Sequence, residues 1–162
     1  MALVDYFLKI DGIDGESQDK THKSDVQLLS FSWGETNAGT FSAGGGGGAG
    51  KVQMQDFHFT MNVNKASPKL FLACANGEHI KKAILVARKA GKDQQEYLKV
   101  TFSDILVSSF QTSGNADAGH LPMDQISLNF SKLEMEYKEQ KADGTLGGAI
   151  KATYDLKQMT GG

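Results

Sequence analysis

Apolar residues recur at every second position through most of the chain, which is the period of a half-buried β-strand. Leu3 to Ile10 sets Val4, Tyr6, Leu8 and Ile10 on one face; Val26 to Trp33 sets Leu29, Phe31 and Trp33 on one face and Val26 and Leu28 on the other. A long strand from Val52 to Val63 changes phase by one residue around Gln55 and Asp56, where Val52 and Met54 give way to Phe57, Phe59, Met61 and Val63. The same slip recurs between Ile126 and Tyr137, where Ile126, Leu128 and Phe130 give way to Leu133, Met135 and Tyr137. A one-residue slip is the mark of a β-bulge, and bulges bend strands as barrel closure requires. Further strands are predicted over about 81–89, 96–110 and 148–157, the last with Ile150, Ala152, Tyr154 and Leu156 on one face. The pattern predicts a mainly β protein, a small barrel of bent strands.

One short helix interrupts the strands, from Pro68 to about Ala75. Ser67 is a good N-cap, Pro68 suits the first helical position, and Gly77 can end the helix in the left-handed conformation. With Leu70, Phe71, Leu72 and Cys74, this helix is apolar enough to plug or cap the barrel. The runs KKAILVARK and SDILVSSF are apolar on both faces, so both sides of these strands need covering. With one short helix available, the second layer is expected from another chain, which makes an oligomer the natural inference.

Residues Gly44 to Lys51 read GGGGGAGK. Gly45-x-x-x-x-Gly50-Lys51 matches a phosphate-binding P-loop except at Val52, where a Ser or Thr should hold magnesium. A P-loop must open a helix whose first N–H groups meet the phosphates. VQMQDFHFTMNV alternates as a strand instead. The run therefore reads as part of an extended loop over about 37–51, and a nucleotide hydrolase using Lys51 stands as the rival to exclude.

With 162 residues the chain is long enough for one domain, 1–162, with a core of its own. Lys and Arg number 17 against 19 Asp and Glu, a formal charge of -2, which argues against nucleic acid as a partner. A single cysteine, Cys74, excludes an internal disulfide and is expected to act as a small buried hydrophobe. MALVDYFLKIDGIDGE lacks the basic leader and apolar core of a signal peptide, so cytosolic folding is expected. No apolar run approaches the roughly 20 residues of a membrane span, so membrane insertion is not expected. The histidines His22, His58, His79 and His120 are scattered and read as surface or strand residues; Asp11, Asp14 and Glu16 read as a turn. Lys81, Lys82, Arg88, Lys89 and Lys92 read as strand ends in solvent. No catalytic constellation, cofactor site or metal site is expected. A monomeric ligand-binding β-barrel would need an interior apolar cavity, which periodicity neither shows nor excludes.

Several ordered stretches carry a resemblance: KIDGIDGESQDKTH, Ser32-Trp33-Gly34, GGGGGAGKVQMQDF, SPKLFLACANGEH, ARKAGKDQQEYLKVTFSDILVSS and ISLNFSKLEMEYKEQKADGTLGG. Together they span nearly the whole chain and resemble the haemolysin-coregulated protein (Hcp) family, the tail-tube subunits of the bacterial type VI secretion system. Only the loop from Ser113 to Gln125 looks idiosyncratic. The resemblance implies a β-barrel of two sheets with one flanking helix, six copies of which form a ring. Rings stack into a tube that is enclosed by a contractile sheath, tipped by a spike protein and driven into a neighbouring cell. The resemblance further implies that small effector proteins are bound and stabilised in the ring lumen, and that the chain leaves the cell through the machine. On this reading Gly44, Gly45, Gly46, Gly47, Gly48, Gly50 and Lys51 form an inter-ring contact loop.

Overall fold

The computed structural model describes residues 4–39, 49–89 and 94–162, with only the backbone of Ala49 and Gly50. In chain order the strands are β1 (Val4–Ile10), β2 (Val26–Leu28), β3 (Ser30–Ser32), β4 (Glu35–Gly39), β5 (Ala49–Met54) and β6 (Phe57–Asn62). The helix α1 (Ala66–Asn76) follows, then β7 (His79–Lys89), β8 (Glu96–Ser113), β9 (Met123–Asn129), β10 (Lys132–Gln140), β11 (Leu146–Asp155) and β12 (Thr160–Gly161).

Antiparallel pairing closes a barrel. β1 pairs with β2 and β7, β7 with β8, β8 with β9, β9 with β6, and β6 with β3. β2 and β3 are one segment broken at Leu29, whose N–H donates to the Thr60 carbonyl at 2.9 Å, and that segment joins the two sheets. β8 makes the other join. Its first half pairs with β10 from Leu98 to Ser103, and its second half pairs with β9 from Leu106 onward. Between the halves Asp104 has a φ of 55°, and the Ser131 N–H reaches the Ser103 carbonyl at 3.1 Å. Strands β10, β11 and β12 then extend one sheet beyond the barrel. The phase slips read from the sequence fall at the two breaks β5/β6 and β9/β10.

The barrel interior is filled by Leu8, Phe57, Phe59, Leu85, Phe102 and Leu128, each at most 2% exposed. Phe102 lies 4.6 Å from Phe57 and 4.9 Å from Phe130 between ring centres. Aromatic packing at these separations fills this part of the interior with side chains. Ala66, Leu70 and Ala73 of α1 join this core.

The helix begins earlier than the sequence suggests, and Ser67 is not its N-cap. Asn64 is the capping side chain: its Oδ1 accepts the Ala66 N–H at 2.8 Å, while Ser67 Oγ accepts the Asn64 N–H at 3.0 Å. The reciprocal pair satisfies helix-start donors that would otherwise be orphaned. At the other end Gly77 takes a φ of 65°, and Glu78 N–H reaches the Ala73 carbonyl at 3.0 Å, the left-handed termination expected there.

The connection 11–25 is a strap folded back over the outer face of β1 and β7. Gly15 N–H donates to Ser24 at 2.8 Å, Ser17 N–H to Asp25 at 3.1 Å, and Ser24 N–H to Ser17 at 2.9 Å. The strap lies so close to its own return that a Cβ on Gly15 would sit 2.5 Å from the Asp25 carbonyl oxygen. It buries Val86 and Arg88 on the outer side of β7. Over Val86 and Arg88 the second layer is therefore supplied by the same chain, while Ile84 stays half-buried.

Candidate assembly surfaces

Under the strap lies a buried ion knot. Arg88, which the sequence places in solvent, is 3% exposed and rests its guanidinium 4.8 Å from the Phe7 ring centre. Nη1 donates to Asp19 Oδ1 at 3.0 Å and to Thr21 at 3.3 Å; Nη2 donates to Asp19 Oδ2 and, at 3.4 Å, to Asp5. The hydrogen bonds from Arg88 hold the Asp19 carboxyl well below the usual carboxylate range, and those to Asp19 push Arg88 up. His22 is also buried, stacked on Phe7 at 4.5 Å, and not a surface residue. Both residues are buried because long-range polar partners cover them. The register pairs Asp5 with Arg88 across β1 and β7, a sign readable only once that pairing is known.

A second buried carboxylate, Asp124, is 0% exposed and accepts from Ser67 at 2.5 Å and Thr112 at 2.6 Å. It ties the first turn of α1 to the β8–β9 pair, a positioning role. Cys74 is half-buried against the core, less covered than expected. His79 and His120 are exposed, His79 lying 3.6 Å from Asp104. Asp11, Asp14 and Glu16 are exposed in the turn that opens the strap, where Glu16 accepts the Lys65 N–H at 2.9 Å. Lys81, Lys82 and Lys89 are exposed; Lys92 lies outside the described residues. Among the described residues no three His, Cys, Asp or Glu side chains converge as metal ligands.

His58 lies on the outer face of β3, β6, β9 and the second half of β8. That face is rich in hydroxyls and amides: Ser30 and Thr60 bond at 2.6 Å, and Ser108 and Ser127 at 2.9 Å. A depression of about 320 Å³ on it is lined by Ser32, His58, Thr60, Ser109, Gln111 and Gln125 among others.

The expected loop over 37–51 is shorter than the sequence suggests, because its flanks are strands. β4 and β5 form a separate two-stranded ribbon with Glu35 opposite Met54, Thr36 opposite Gln53 and Asn37 opposite Val52. Every residue of β4 is exposed. Gly44, Gly45, Gly46, Gly47 and Gly48 lie outside the described residues, whereas Gly50 and Lys51 are within β5 and Lys51 is exposed. Lys51 thus continues into a strand, so the helix N-terminus that a phosphate cradle needs is replaced there by a β-ribbon.

Among the described residues, apolar side chains left in water include those of two surfaces flanking the barrel. Leu98, Tyr137 and Ile150 stand opposite one another across β8, β10 and β11, on the same side as the core pair Phe102 and Leu133 but beyond the barrel. Tyr137 is 45% and Ile150 71% exposed. The other surface is a groove of about 720 Å³ beside β1 and β2, where Leu29, Val63 and Leu121 line the wall with Glu16, Ser17 and Gln18 of the strap.

Residues 7–137 match the family described as "Type VI secretion system effector, Hcp". The chain is 43% identical to Protein hcp1 of Pseudomonas aeruginosa over 157 residues, covering 96% of each. Among solved structures it is similar to Hcp1 from Salmonella typhimurium, at 38% identity and a TM-score of 0.82 over 99% of both chains. It is also similar to a structure described as a type six secretion system protein, at 29% identity and a TM-score of 0.92 over 98% of this chain and 99% of that one. Proteins of this family are structural tube proteins rather than enzymes, and hexameric rings are known among their structures. Family profile, relatives and fold agree over nearly the full length: the chain belongs to the Hcp family of type VI secretion.

Proposed function

We propose that this tube subunit closes its ring head to tail, the apolar face of β10 and β11 on one copy seating against the groove beside β1 and β2 on the next. The observation that carries this reading is Ile150, mid-strand and 71% exposed beside Tyr137. Burying such a side chain is worth about 1.5–3 kcal/mol. Two different patches on one molecule make a heterologous contact, which yields a closed ring when the rotation closes. Ile150→Asp should leave the subunit folded, because Ile150 touches water already, and should lose the ring in sedimentation velocity. Leu121→Asp on the groove side should do the same. Intact rings in both variants would overturn this interface.

The β4–β5 ribbon then extends from ring to ring, with Gly44, Gly45, Gly46, Gly47, Gly48, Gly50 and Lys51 as the contact loop. Glycine lets one backbone pass close to another without side-chain clash. Ordering such a tip costs about 1–2 kcal/mol per residue fixed, so stacking should be labile and concentration-dependent. Deleting Gly44 to Gly48 should spare rings and impair tubes in electron micrographs; unchanged stacking would remove the loop from this role. Sheath and spike proteins are the partners outside and at the tip, and small effector proteins are the cargo in the lumen. The hydroxyl- and amide-rich face is suited to line that lumen, since hydroxyls and amides both donate and accept hydrogen bonds. The subunit is made in the cytosol and leaves the cell through the assembled machine.

A further inference from the structure

The His22 side chain is 10% exposed, and each of its ring nitrogens faces a carboxylate. Nδ1 lies 2.9 Å from Asp25 Oδ2, and Nε2 lies 2.5 Å from Glu96 Oε1. A neutral imidazole offers one N–H and one lone pair, whereas an ionised carboxylate only accepts. Both contacts are hydrogen bonds only while the ring carries both protons. We propose that His22 is a proton-operated latch that holds the 11–25 strap onto β8 when doubly protonated and releases it when the second proton leaves.

The neighbouring charges permit this. On the strap, Asp19 accepts the His22 backbone N–H at 3.2 Å and is otherwise engaged by Arg88 of β7, which Asp5 of β1 also faces. Lys9 of β1, Lys23 of the strap and Lys99 of β8 line the depression around the ring together with Ile84 and Val86 of β7. Among the described residues only Asp25 and Glu96 are paired with the ring nitrogens. Asp25 is 11% exposed and held within the strap, whereas Glu96 is 47% exposed and free to turn into water, so the latch opens at Glu96. The closed form holds the extra proton, hence closure persists on the acid side and is lost as pH rises. Since Glu16, Ser17 and Gln18 line the groove beside β1 and β2, the latch also sets the rigidity of that wall.

Hydrogen exchange on the full-length chain tests the latch, followed from about pH 5.5 to about pH 8.5 across the histidine range and corrected for intrinsic rates. The strap amides of Ser17, Ser24 and Asp25 should lose protection at least about tenfold as pH rises, while amides of β6 and β9 keep theirs. In Glu96→Gln the side-chain amide can donate to a bare ring nitrogen, so strap protection should become flat with pH. A flat wild-type profile, or a Glu96→Gln profile as steep as the wild type, overturns the proposal.

Discussion

Replacing Asp19 with Ala leaves the Arg88 guanidinium under the strap with its principal counter-ion gone. Exposed ion pairs are worth about 0–1 kcal/mol, while removing one partner of a buried pair costs about 3–5 kcal/mol, so burial decides the magnitude. The Arg88 side chain is 4% exposed and that of Asp19 19%, which puts the pair nearer the buried limit. Asp5 stays 3.4 Å from Nη2 and keeps part of the charge compensated. Nε has no hydrogen-bond partner among the described residues even in the intact knot. The expected loss is therefore at the low end, about 3 kcal/mol. For a chain of this length that lowers Tm by about 6–12 °C. Urea unfolding followed by Trp33 fluorescence measures it, with wild type and variant at one protein concentration because ring formation adds stability of its own. Arg88→Met should cost less in the Asp19→Ala background than in the wild type, since it then removes an uncompensated charge instead of breaking a pair. A loss below about 1 kcal/mol, with additive effects in the double variant, would refute the reading of a buried knot.

The same pair sets a pH window. The folded Asp19 carboxyl titrates below its ordinary value of 3.8, so the unfolded chain binds more protons there; stability is present above that value and is lost as pH falls through the folded one. Urea midpoints measured downward from neutral pH should fall more steeply for wild type than for Asp19→Ala; parallel curves would remove Asp19 as the source. Gly15→Ala places a Cβ 2.5 Å from the Asp25 carbonyl and should cost about 1–3 kcal/mol in the same unfolding assay. An unchanged midpoint would show that the strap shifts freely.

Local alternation carries the barrel. The slips at Gln55–Asp56 and between Phe130 and Leu133 are legible because side-chain parity is a short-range property, but they mark the breaks β5/β6 and β9/β10 rather than bulges within one long strand. Gly77 is legible for the same reason, since a left-handed helix end is chosen within a few residues. The strap is not. Arg88 meets Asp19 across 69 positions and His22 meets Glu96 across 74, and both ends of each contact are polar, so neither leaves a hydrophobic trace. Capping by the Asn64 side chain escapes because Ser67 satisfies the same local rule and is instead engaged with Asp124, 57 residues away. The ribbon flanks at Glu35–Gly39 escape because small polar residues carry little strand alternation.

That difference relocates the argument for an oligomer. The sequence demands a second chain over β7 because KKAILVARK is apolar on both faces, yet the strap already covers Val86 and Arg88 of that strand, and Phe110 of β8 meets Phe71 of α1 at 6.2 Å. The demand survives at β10 and β11, where the face that is core at Leu133 becomes open at Tyr137 and Ile150 without any change in strand parity. Alternation alone cannot distinguish these cases, since it says that a face is apolar and not what lies over it. A sheet running past the end of its own barrel with its core side uncovered is half of an interior. On the proposed head-to-tail contact, another copy would complete it by the same physics that fills the barrel with Phe57 and Phe102.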